Sequence, residues 1–539
     1  MTQIIKQSVC INISLLIHLK MFYFSSKTFI KPKIGIEMVK MHTFTLKSCG
    51  DLVMTREIRD PLYNYVHLTM VENAVVDSKI FQRLDRIAQM PTAHFVYPSG
   101  EYSRKTHSLG AMHLMSKAIL HIMYLHSGQI RKNISPLLFA ESVVFKKDRD
   151  KNLDYLDQTK NTWWNSMEWD AIVQYSRLAG LLHDIGHAPF SHTFEDSTKK
   201  MAKKGVLDEE FDHESMSRKI IKEKEGDLNL GRSFKGEEVN QILDKKGKAP
   251  DFMKELISGA CDCDKLDYLM RDAHHVGAPE YGSIDADRII NGFRVKDLRL
   301  CISSSALHAL MKSFRAIQSM HTAIYYHRTS RIFDFMIADA LEEVPEFIRE
   351  ITSSVDEFIK FDDRSFVCAI NQRARKKGRS AKPYKKAREI FEKVRNRQKI
   401  YETVLEFPLS FPLSAVKDAK HYLEKIESEI LELVEDQGGE NFTIFCDYRP
   451  AIRPVGIELE DIFDWLMMPR IFDTKDNEVK KLEDIYSAYF FDLTRYSILF
   501  RIFAHRKEAE EERCTMDKIR KEAKEKLQNL ENMWKRYST

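Results

Sequence analysis

Two imidazoles and two carboxylates in this sequence form a set that could bind a metal ion. His107 lies in SRKTHSLGAMH, the doublet His183-Asp184 in LAGLLHDIGHAPFSH, and Asp264 in CDCDKLDYLMRDAHH. A mixed nitrogen and oxygen donor set suits iron, manganese, zinc or a related divalent transition metal. Such an ion lowers the pKa of bound water and so makes a nucleophile available near neutral pH. These residue types therefore indicate hydrolytic chemistry at a metal centre.

Helices must bring the four residues together, because they lie far apart in the chain. Adjacent helical residues point about 100° apart, so His183 and Asp184 can share a metal only if it lies over the face between them. His107 and Asp264 must then come from two other helices, as in metal sites in the cores of helical bundles. A His-Asp doublet alone is weak evidence, since with 19 histidines one is expected by chance roughly once in such a chain. A hydrogen bond at a helix end would be the favoured explanation if the doublet stood alone.

The composition predicts a mainly helical globular protein. The chain of 539 residues is long enough for a large core and more than one domain. Apolar residues make up 43% of it and charged residues 30%, an ordinary globular balance. The 84 basic residues nearly balance the 80 acidic ones, so any anionic partner must be recognised locally. The eight scattered cysteines form no CxxC pair, which indicates a reducing cytoplasmic location. The apolar stretch from Val9 to Leu19 is too short to span a membrane.

The apolar pattern predicts a helical core followed by a smaller α+β lobe. We expect an N-terminal extension over residues 1–50, a core over 51–405, a C-terminal lobe over 406–505 and a charged helical tail over 506–539. In the lobe, Ala415 to Glu435 predicts an amphipathic helix, Asn441 to Tyr448 a strand and Tyr486 to Phe503 another apolar helix. The tail is expected to be a solvated helix with i,i+4 ion pairs.

The ordered series His, His-Asp, Asp resembles the HD-domain phosphohydrolases. The surrounding sequence is similar to their deoxynucleoside triphosphate triphosphohydrolase branch. The matching stretches are REIRDP, FQRLDRIAQM, RKTHSLG, LLHDIGHAPFSHTFE, DHES, DCDKLDYLMRDAHHVG and YYHRTSRIFDFMI, within about residues 56 to 405. The resemblance implies a helical HD core and the hydrolysis of deoxynucleoside triphosphates (dNTPs) to deoxynucleoside and tripolyphosphate.

The resemblance assigns roles to the residues of these motifs. It implies that the metal ligands are His107, His183, Asp184 and Asp264. The catalytic residues that it implies are His187, His192, Glu195 and His213. His192 would protonate the departing 5′ oxygen and Glu195 would orient His192, while the other two histidines would contact phosphates or relay protons. For each of these histidines, a loop-capping or core hydrogen-bonding role is the alternative.

The resemblance also implies substrate contacts. In chain order these are Gln89, Met90, Arg104, Lys265, Tyr268, Arg315 and Tyr325. Arg104 and Lys265 would hold phosphates, which need fixed positive charges. Gln89 and Met90 would face the sugar 3′-hydroxyl, Tyr268 would exclude a 2′-hydroxyl by filling its space, and Tyr325 would lie beside the sugar or base. For Met90 and both tyrosines core packing is the alternative, because they also fall on apolar helix faces.

Several positions depart from the pattern of that branch. Ile317 stands in place of an arginine for the γ-phosphate, and Arg315 is close enough to substitute. At a regulatory guanine-nucleotide site Asp77 and Gln82 match, but Asp85 replaces an arginine and would repel a nucleotide phosphate. A nucleotide effector, and Mg²⁺ bound with the substrate phosphates, are therefore left open. The relatives imply a homo-oligomer.

Two other functions remain as alternatives. The same metal ligands could serve an HD-type nuclease or phosphodiesterase that acts on single-stranded nucleic acid. The chain could also be a nucleotide-regulated defence effector, in which the C-terminal lobe carries the regulation. The basic run from Arg373 to Lys399 could grip nucleic acid, but its interspersed apolar residues favour a solvated helix face.

Overall fold

The computed structural model describes residues 54–127, 169–231, 234–412, 416–436, 443–450, 469–476, 478–482, 495–511 and 513–536. The extension predicted over residues 1–50 lies outside the described residues, and so do residues 486–494 of the last predicted lobe helix. Within the described ranges, no helix is long and apolar enough to cross a membrane.

Helices dominate the described chain, so the prediction of a mainly α fold with a smaller C-terminal α+β lobe is confirmed. The α-helices are α1 (Met70–Val76), α2 (Lys79–Gln82), α3 (Arg104–Ser127), α4 (Trp169–Leu182), α5 (His192–Lys203), α6 (His213–Glu223), α7 (Gly236–Leu243), α8 (Asp251–Glu255), α9 (Cys263–Val276), α10 (Ala286–Gly292), α11 (Leu307–Met320), α12 (Arg328–Glu342), α13 (Pro345–Thr352), α14 (Val355–Phe358), α15 (Asp363–Ala374), α16 (Lys382–Arg395), α17 (Val416–Asp436), α18 (Arg506–Glu511) and α19 (Arg513–Arg536). The strands are β1 (Met54–Asp60), β2 (Asn64–Thr69), β3 (Phe293–Lys296), β4 (Arg299–Ser303), β5 (Tyr401–Pro412), β6 (Ile444–Pro450), β7 (Arg470–Asp473), β8 (Glu478–Lys481) and β9 (Arg495–His505).

A β-hairpin leads into the helical core. Strands β1 and β2 pair antiparallel, and Asn64 at the turn has a left-handed backbone with φ 70°. Asp60 accepts hydrogen bonds from the backbone N–H groups of Leu62 (2.8 Å) and Tyr63 (3.0 Å), which fixes the turn. Thr69 then starts α1 through a capping box with Glu72.

Helix α3 lies at the centre of the core, with α4 and α9 packed against it. Nearly every described side chain from Ser108 to Met123 is buried, so α3 is enclosed on all sides. Two glycines permit the close packing. A Cβ at Gly180 of α4 would lie 3.0 Å from Cα of Met112, and one at Gly110 would lie 1.9 Å from Asp267 Oδ1 of α9. The sequence therefore needs glycine where these three helices meet.

Two small sheets include strands from the C-terminal region. Strand β9 lies between β5 and β6 in an antiparallel three-stranded sheet, and β3, β4, β7 and β8 form a second sheet in that order. The prediction of an apolar helix from Tyr486 to Phe503 was wrong, because residues 495–503 belong to β9. Both edges of β9 are paired, and Ile498, Phe500, Ile502 and Phe503 are all buried. A strand buried on both faces reads as a continuous apolar run, which periodicity cannot distinguish from a buried helix.

Helices α17 and α19 pack together beside this sheet. The amphipathic helix predicted from Ala415 to Glu435 is confirmed as α17. The tail is helical, but the prediction that it is solvated all round was wrong. One stripe of α19 is buried, comprising Met516, Ile519, Ala523, Leu527, Leu530 and Trp534. Its apolar residues are few among many charges, yet they recur at the spacing of one helix face.

The basic run from Arg373 to Lys399 includes the end of α15 and all of α16. Ala387, Phe391 and Val394 of α16 are buried, whereas the Lys and Arg side chains of this helix are exposed or half-buried. The preferred interpretation as a helix with a solvated basic face is confirmed for this segment.

Candidate metal centre

The four predicted metal ligands converge on one space inside the core. His107 Nε2 lies 2.9 Å from Asp264 Oδ1 and 3.7 Å from Asp184 Oδ2. His183 Nε2 lies 3.2 Å from Asp184 Oδ1 and 3.5 Å from Asp264 Oδ1. Ligand atoms about 2.1 Å from a metal stand roughly 3.0–3.4 Å from one another in octahedral or tetrahedral geometry. Donor atoms of His107, His183 and Asp184 all lie within 4.8 Å of one another and could hold a metal ion, and Asp264 lies beside both histidines.

The donor atoms themselves fit a divalent cation. His183 Nδ1 donates to the Gly180 carbonyl at 2.9 Å, so Nε2 points into the site, where it faces the carboxylates of Asp184 and Asp264. Two imidazoles with two carboxylates suit iron, manganese or zinc.

Each ligand lies at a helix terminus. Arg104 starts α3, and His107 follows one turn later on the same face. α4 ends at Leu182, so His183 and Asp184 are the first residues after it. The Asp262 side chain caps α9 by accepting from the Lys265 N–H at 2.7 Å, which places Asp264 in the first turn.

A buried carboxylate that the sequence analysis missed holds His107 in position. Asp267 Oδ2 lies 2.8 Å from His107 Nδ1, which donates because an ionised carboxylate only accepts. This contact leaves His107 Nε2 for the metal. Arg271 donates to both oxygens of Asp267, at 2.9 and 2.8 Å, and to Asp60 at 2.8 Å. Tyr63 OH donates to Asp267 Oδ1 at 2.6 Å. The available signal was that Asp267 lies one turn after Asp264 and therefore on the same helix face.

The candidate site concentrates charge. Burial opposes protonation of His107, but hydrogen bonds with Asp264 and Asp267 outweigh it and raise the pKa of His107 to about 10. Burial also opposes ionisation of Asp184, yet His183 and Arg104 hold its pKa well below the usual range. A carboxylate beside a proton-holding imidazole is a place where a cation can replace the proton.

The four predicted catalytic residues form a second cluster next to the ligands. Glu195 bridges two imidazoles, with Oε2 2.8 Å from His192 Nδ1 and Oε1 2.6 Å from His213 Nδ1. His187 stacks on His213 with ring centroids 4.0 Å apart, and its Nε2 lies 3.4 Å from Asp184 Oδ1. Donor atoms of all four also lie close enough together to hold a cation. Burial opposes protonation of His213, but Glu195 outweighs it and raises the pKa of His213 to about 9.

The loop between α4 and α5 carries His183, Asp184 and His187, and its last residues have an unusual backbone conformation. Phe190 and Ser191 both have left-handed φ values, of 62° and 53°. Asp363 accepts from the Phe190 N–H at 2.9 Å, and the Phe190 ring lies 5.7 Å from that of Phe366 and 5.5 Å from that of Phe391. Contacts outside the loop therefore hold its backbone in place.

Two further residues fix the first part of this loop. A Cβ at Gly186 would lie 2.2 Å from the Ser217 backbone nitrogen, so only glycine lets α6 approach here. The buried guanidinium of Arg83 donates to the carbonyls of Ile185, at 3.1 Å, and His187. The sequence analysis assigns no role to Arg83, because an arginine in FQRLDRI gives no local signal of such distant contacts.

Three of the predicted substrate residues point unpaired polar atoms into buried space. These atoms are Gln89 Oε1, Arg104 Nη2 and Tyr268 OH. Arg104 also donates to Asp184 Oδ2 at 2.5 Å and to Ser191 Oγ at 2.8 Å, which holds it beside the ligands. The Tyr268 ring lies 6.4 Å from the rings of both His107 and Tyr325.

The other predicted substrate residues differ in their surroundings. The Lys265 ammonium pairs with Asp262 at 2.7 Å, so its charge is already compensated. Tyr325 ends a π-helical turn and donates to Asp272 at 2.5 Å. Met90 is buried, and Arg315 is exposed on α11. Asp272 was also missed, although it follows Tyr268 by one helical turn.

Comparison with protein families agrees with this site. Residues 162–272 match the HD domain, which includes His183, Asp184 and Asp264. Residues 284–435 match the HD associated region. The chain therefore carries a segment that matches the HD domain, followed by one that matches its associated region.

The curated relatives of the chain include deoxynucleoside triphosphate triphosphohydrolases. It is 30% identical over 314 residues to an uncharacterized protein of Methanocaldococcus jannaschii, covering 58% of this chain and 54% of that protein. It is 26% identical over 361 residues to the deoxynucleoside triphosphate triphosphohydrolase SAMHD1 homolog of Dictyostelium discoideum (66% and 60%). Its identity to the SAMHD1 enzyme of Homo sapiens is 27% over 345 residues (59% and 47%). The chain spans about half to three-fifths of the length of these relatives and is dNTPase-like.

Two solved structures share the fold. A phosphohydrolase from Bacteroides thetaiotaomicron superposes with a TM-score of 0.55 at 21% identity, over 84% of this chain and 99% of that one. A hypothetical protein from Aquifex aeolicus gives a TM-score of 0.58 at 22% identity, over 86% and 100%.

Proposed function

We propose that this protein hydrolyses dNTPs to deoxynucleoside and tripolyphosphate with a divalent metal bound by His107, His183, Asp184 and Asp264. The observation that carries the proposal is the grouping of His107, His183 and Asp184, with Asp264 beside both histidines, next to a second cluster of three histidines and Glu195. The bound metal supplies the activation of water near neutral pH that such hydrolysis requires. The similarity to dNTP triphosphohydrolases supports the choice of substrate.

Arg104 is the residue best placed to receive a phosphate. Its guanidinium is buried, is oriented by Asp184 and Ser191, and retains one nitrogen without a partner. A fixed positive charge with a free donor is suited to a non-bridging phosphate oxygen. Lys265 contributes less to phosphate binding in this proposal, because Asp262 already neutralises it.

His192 is the proposed proton donor to the departing 5′ oxygen. Glu195 accepts from Nδ1 of His192, which fixes the ring and leaves Nε2 to hold the transferred proton. The side chain is 36% exposed, so a substrate can reach it. His213 shares Glu195 and can return a proton to the pair.

Tyr268 and Tyr325 are the proposed sugar contacts. Tyr325 is fixed by its hydrogen bond to Asp272, and Tyr268 lies between it and His107 with a free hydroxyl. Bulky rings beside the ligand space leave no room for a 2′-hydroxyl, which supports a deoxynucleotide over a ribonucleotide. The homo-oligomer, the cytoplasmic location and the four sequence segments proposed above stay predictions.

A product assay tests the proposal. Purified protein with manganese or iron is incubated with each dNTP in turn, and tripolyphosphate and deoxynucleoside are quantified. We expect both products, their loss in Asp184→Ala, and a fall in turnover of about 100-fold in His192→Ala with metal content retained. Cleavage of single-stranded DNA or RNA without tripolyphosphate release from any dNTP would replace this proposal by the nuclease alternative.

A further inference from the structure

A chain of ionic contacts joins the C-terminal sheet to helix α12. Asp447 on β6 is buried and accepts two hydrogen bonds from Arg331, one from Nε and one from Nη2, each 3.2 Å long. The Arg331 guanidinium also lies 4.7 Å from the ring centroid of Phe335. That ring packs at 4.5 Å on Phe445, two residues before Asp447. Arg331 is therefore held on the sheet by both charge and aromatic packing.

The same arginine continues the chain toward the candidate site. Arg331 Nη1 donates to Asp334 Oδ2 at 2.9 Å, one turn further along α12. Asp334 Oδ1 accepts from Thr92 Oγ1 at 2.8 Å and from Thr193 Oγ1 at 3.3 Å. One carboxylate thus binds two loops that are remote in sequence.

Both threonines adjoin residues of the candidate site. Thr193 directly follows His192 in the first turn of α5, and Thr92 lies two residues after Met90. Neither threonine reaches the metal ligands in the described contacts, so their position affects the site only through these neighbours. The loops are consequently held from the side of the C-terminal lobe.

The charges in this chain depend on one another. Arg331 is 8% exposed and has a carboxylate on each side. If Asp447 loses its charge, the buried arginine loses one of its two flanking carboxylates and draws the other, Asp334, toward itself. The hydrogen bonds from the two threonine hydroxyls to Asp334 are then weakened. This follows because Arg331 binds one oxygen of that carboxylate and the threonines bind the other.

We propose that Asp447 is a positioning residue that acts through Arg331 and Asp334 on the segments carrying Met90 and His192. The C-terminal sheet thereby sets the geometry of these two segments, in addition to completing the fold. The positioning itself does not depend on the chemistry of the site. Only its catalytic consequence rests on the proposed function.

Hydrogen–deuterium exchange of the full-length protein tests the positioning. In Asp447→Asn we expect faster exchange than in wild type in peptides covering residues 88–96 and 189–196, with the pattern reproduced by Asp334→Asn. The control is Glu427→Gln, which removes a carboxylate that accepts from Tyr448, the next residue on β6, at 3.0 Å. This control should leave both peptides unchanged. Wild-type exchange in both peptides of Asp447→Asn would overturn the proposal.

A double substitution covers the case in which Asp447→Asn does not fold. Arg331→Met combined with Asp447→Leu replaces the buried ion pair by apolar side chains, an exchange that proteins often tolerate. It severs the link to Asp334, so the same two peptides should exchange faster in a folded protein. Protection equal to wild type would overturn the proposal here as well.

Kinetics separate this inference from the proposed function. With dNTP hydrolysis in wild type, Asp447→Asn should lower kcat by about tenfold with a smaller change in KM and with unchanged metal content. A general loss of folded protein would lower the active fraction and leave KM and the pH profile untouched, so a shifted pH profile is the expected signature of a displaced His192. If wild type releases no tripolyphosphate but the two peptides respond, the positioning stands and the proposed function fails.

Discussion

At the scale of single residues, Asp267 has the clearest consequence for the metal centre. It is fully buried and holds Nδ1 of His107, while Arg271 and Tyr63 satisfy its own oxygens. A carboxylate behind a histidine ligand fixes the ring and increases its basicity toward the metal. Burial opposes ionisation of Asp267, but Arg271 and His107 lower its pKa to about 2, so it remains an acceptor at neutral pH.

Asp267→Asn should weaken metal binding about 10- to 100-fold, because the amide cannot reproduce the charge that orients His107. Metal affinity is measured by competition with a chelating dye, and circular dichroism confirms that the variant is folded. Asp272→Asn is the matched control, since it changes another buried carboxylate of α9 that contacts no ligand. Equal affinities in wild type and Asp267→Asn would contradict the assignment.

The candidate ligands could be proposed from the sequence, whereas the residues that support them could not. His107, His183, Asp184 and Asp264 stand out because two histidines and two aspartates occur in the order of a known motif. Asp267 and Arg83 act through contacts with distant residues: 160 positions separate Asp267 from His107, and 102 separate Arg83 from Ile185. Such contacts leave no local pattern, because α-helices show only which face a residue occupies.

At the scale of elements, the loop between α4 and α5 depends on the start of α15. Asp363 accepts from the backbone N–H groups of Ala88 and Phe190, each at 2.9 Å, and so joins two segments of the site. Burial raises the pKa of Asp363 to about 6 despite these hydrogen bonds. Its neighbour Asp362 behaves in the opposite way. Burial opposes its ionisation, but Ser365 and Arg86 lower its pKa.

These two neighbours predict opposite pH dependences of stability. Between about pH 4 and pH 6 folded Asp363 holds a proton that the unfolded chain releases, so its contribution is lost as pH rises through 6. Asp363→Asn should therefore reduce the fall in unfolding free energy across this window, by an amount on the order of 2 kcal/mol. Asp362→Asn should instead remove stability that is present at neutral pH and lost on acidification. Urea unfolding across this pH range measures both, and identical pH profiles for the two variants would contradict the prediction.

Helices and strands could be predicted where apolar residues recur on one face and polar residues on the other. The amphipathic stripe of α17 was found because one of its faces is polar. Strand β9 was mistaken for a helix because it is central and apolar on both faces. The buried stripe of α19 was missed because charged residues outnumber it, although its spacing is regular.

At the scale of the whole molecule, the metal ligands unite distant parts of the chain. His107 comes from the start of α3, His183 from the end of α4, and Asp264 from the start of α9. A cation bound by all of them is bound by the folded state alone. Its binding energy is therefore added to the stability of the core.

Removal of the metal should lower the melting temperature of wild type. A metal present at 100 times its Kd stabilises the folded state by about 2.7 kcal/mol. Thermal unfolding is followed before and after chelation, with Asp184→Asn as the variant that has lost a ligand. Chelation should leave the variant unchanged. Equal shifts in the two proteins would contradict a metal at this site.

The HD associated region and the change in composition divide the chain at different places. The HD associated region runs from residue 284 to 435 and so extends through α17, beyond residue 405 where the composition changes. The contacts of Arg331 with Asp447 cross that point as well. Composition follows solvent exposure, whereas contacts between helices and sheets follow the tertiary fold.

The strained loop at Phe190 bears on how HD domains can be exchanged between proteins. Phe190 lies within the HD match, but the carboxylate and the rings that hold its left-handed backbone, those of Asp363, Phe366 and Phe391, lie in the associated region. That backbone costs a non-glycine residue about 1–2 kcal/mol. A transplanted HD segment would carry this cost into its new host without the contacts that offset it. The two regions are therefore one unit for grafting, and a working chimera must bring both or rebuild the acceptor and the aromatic cleft.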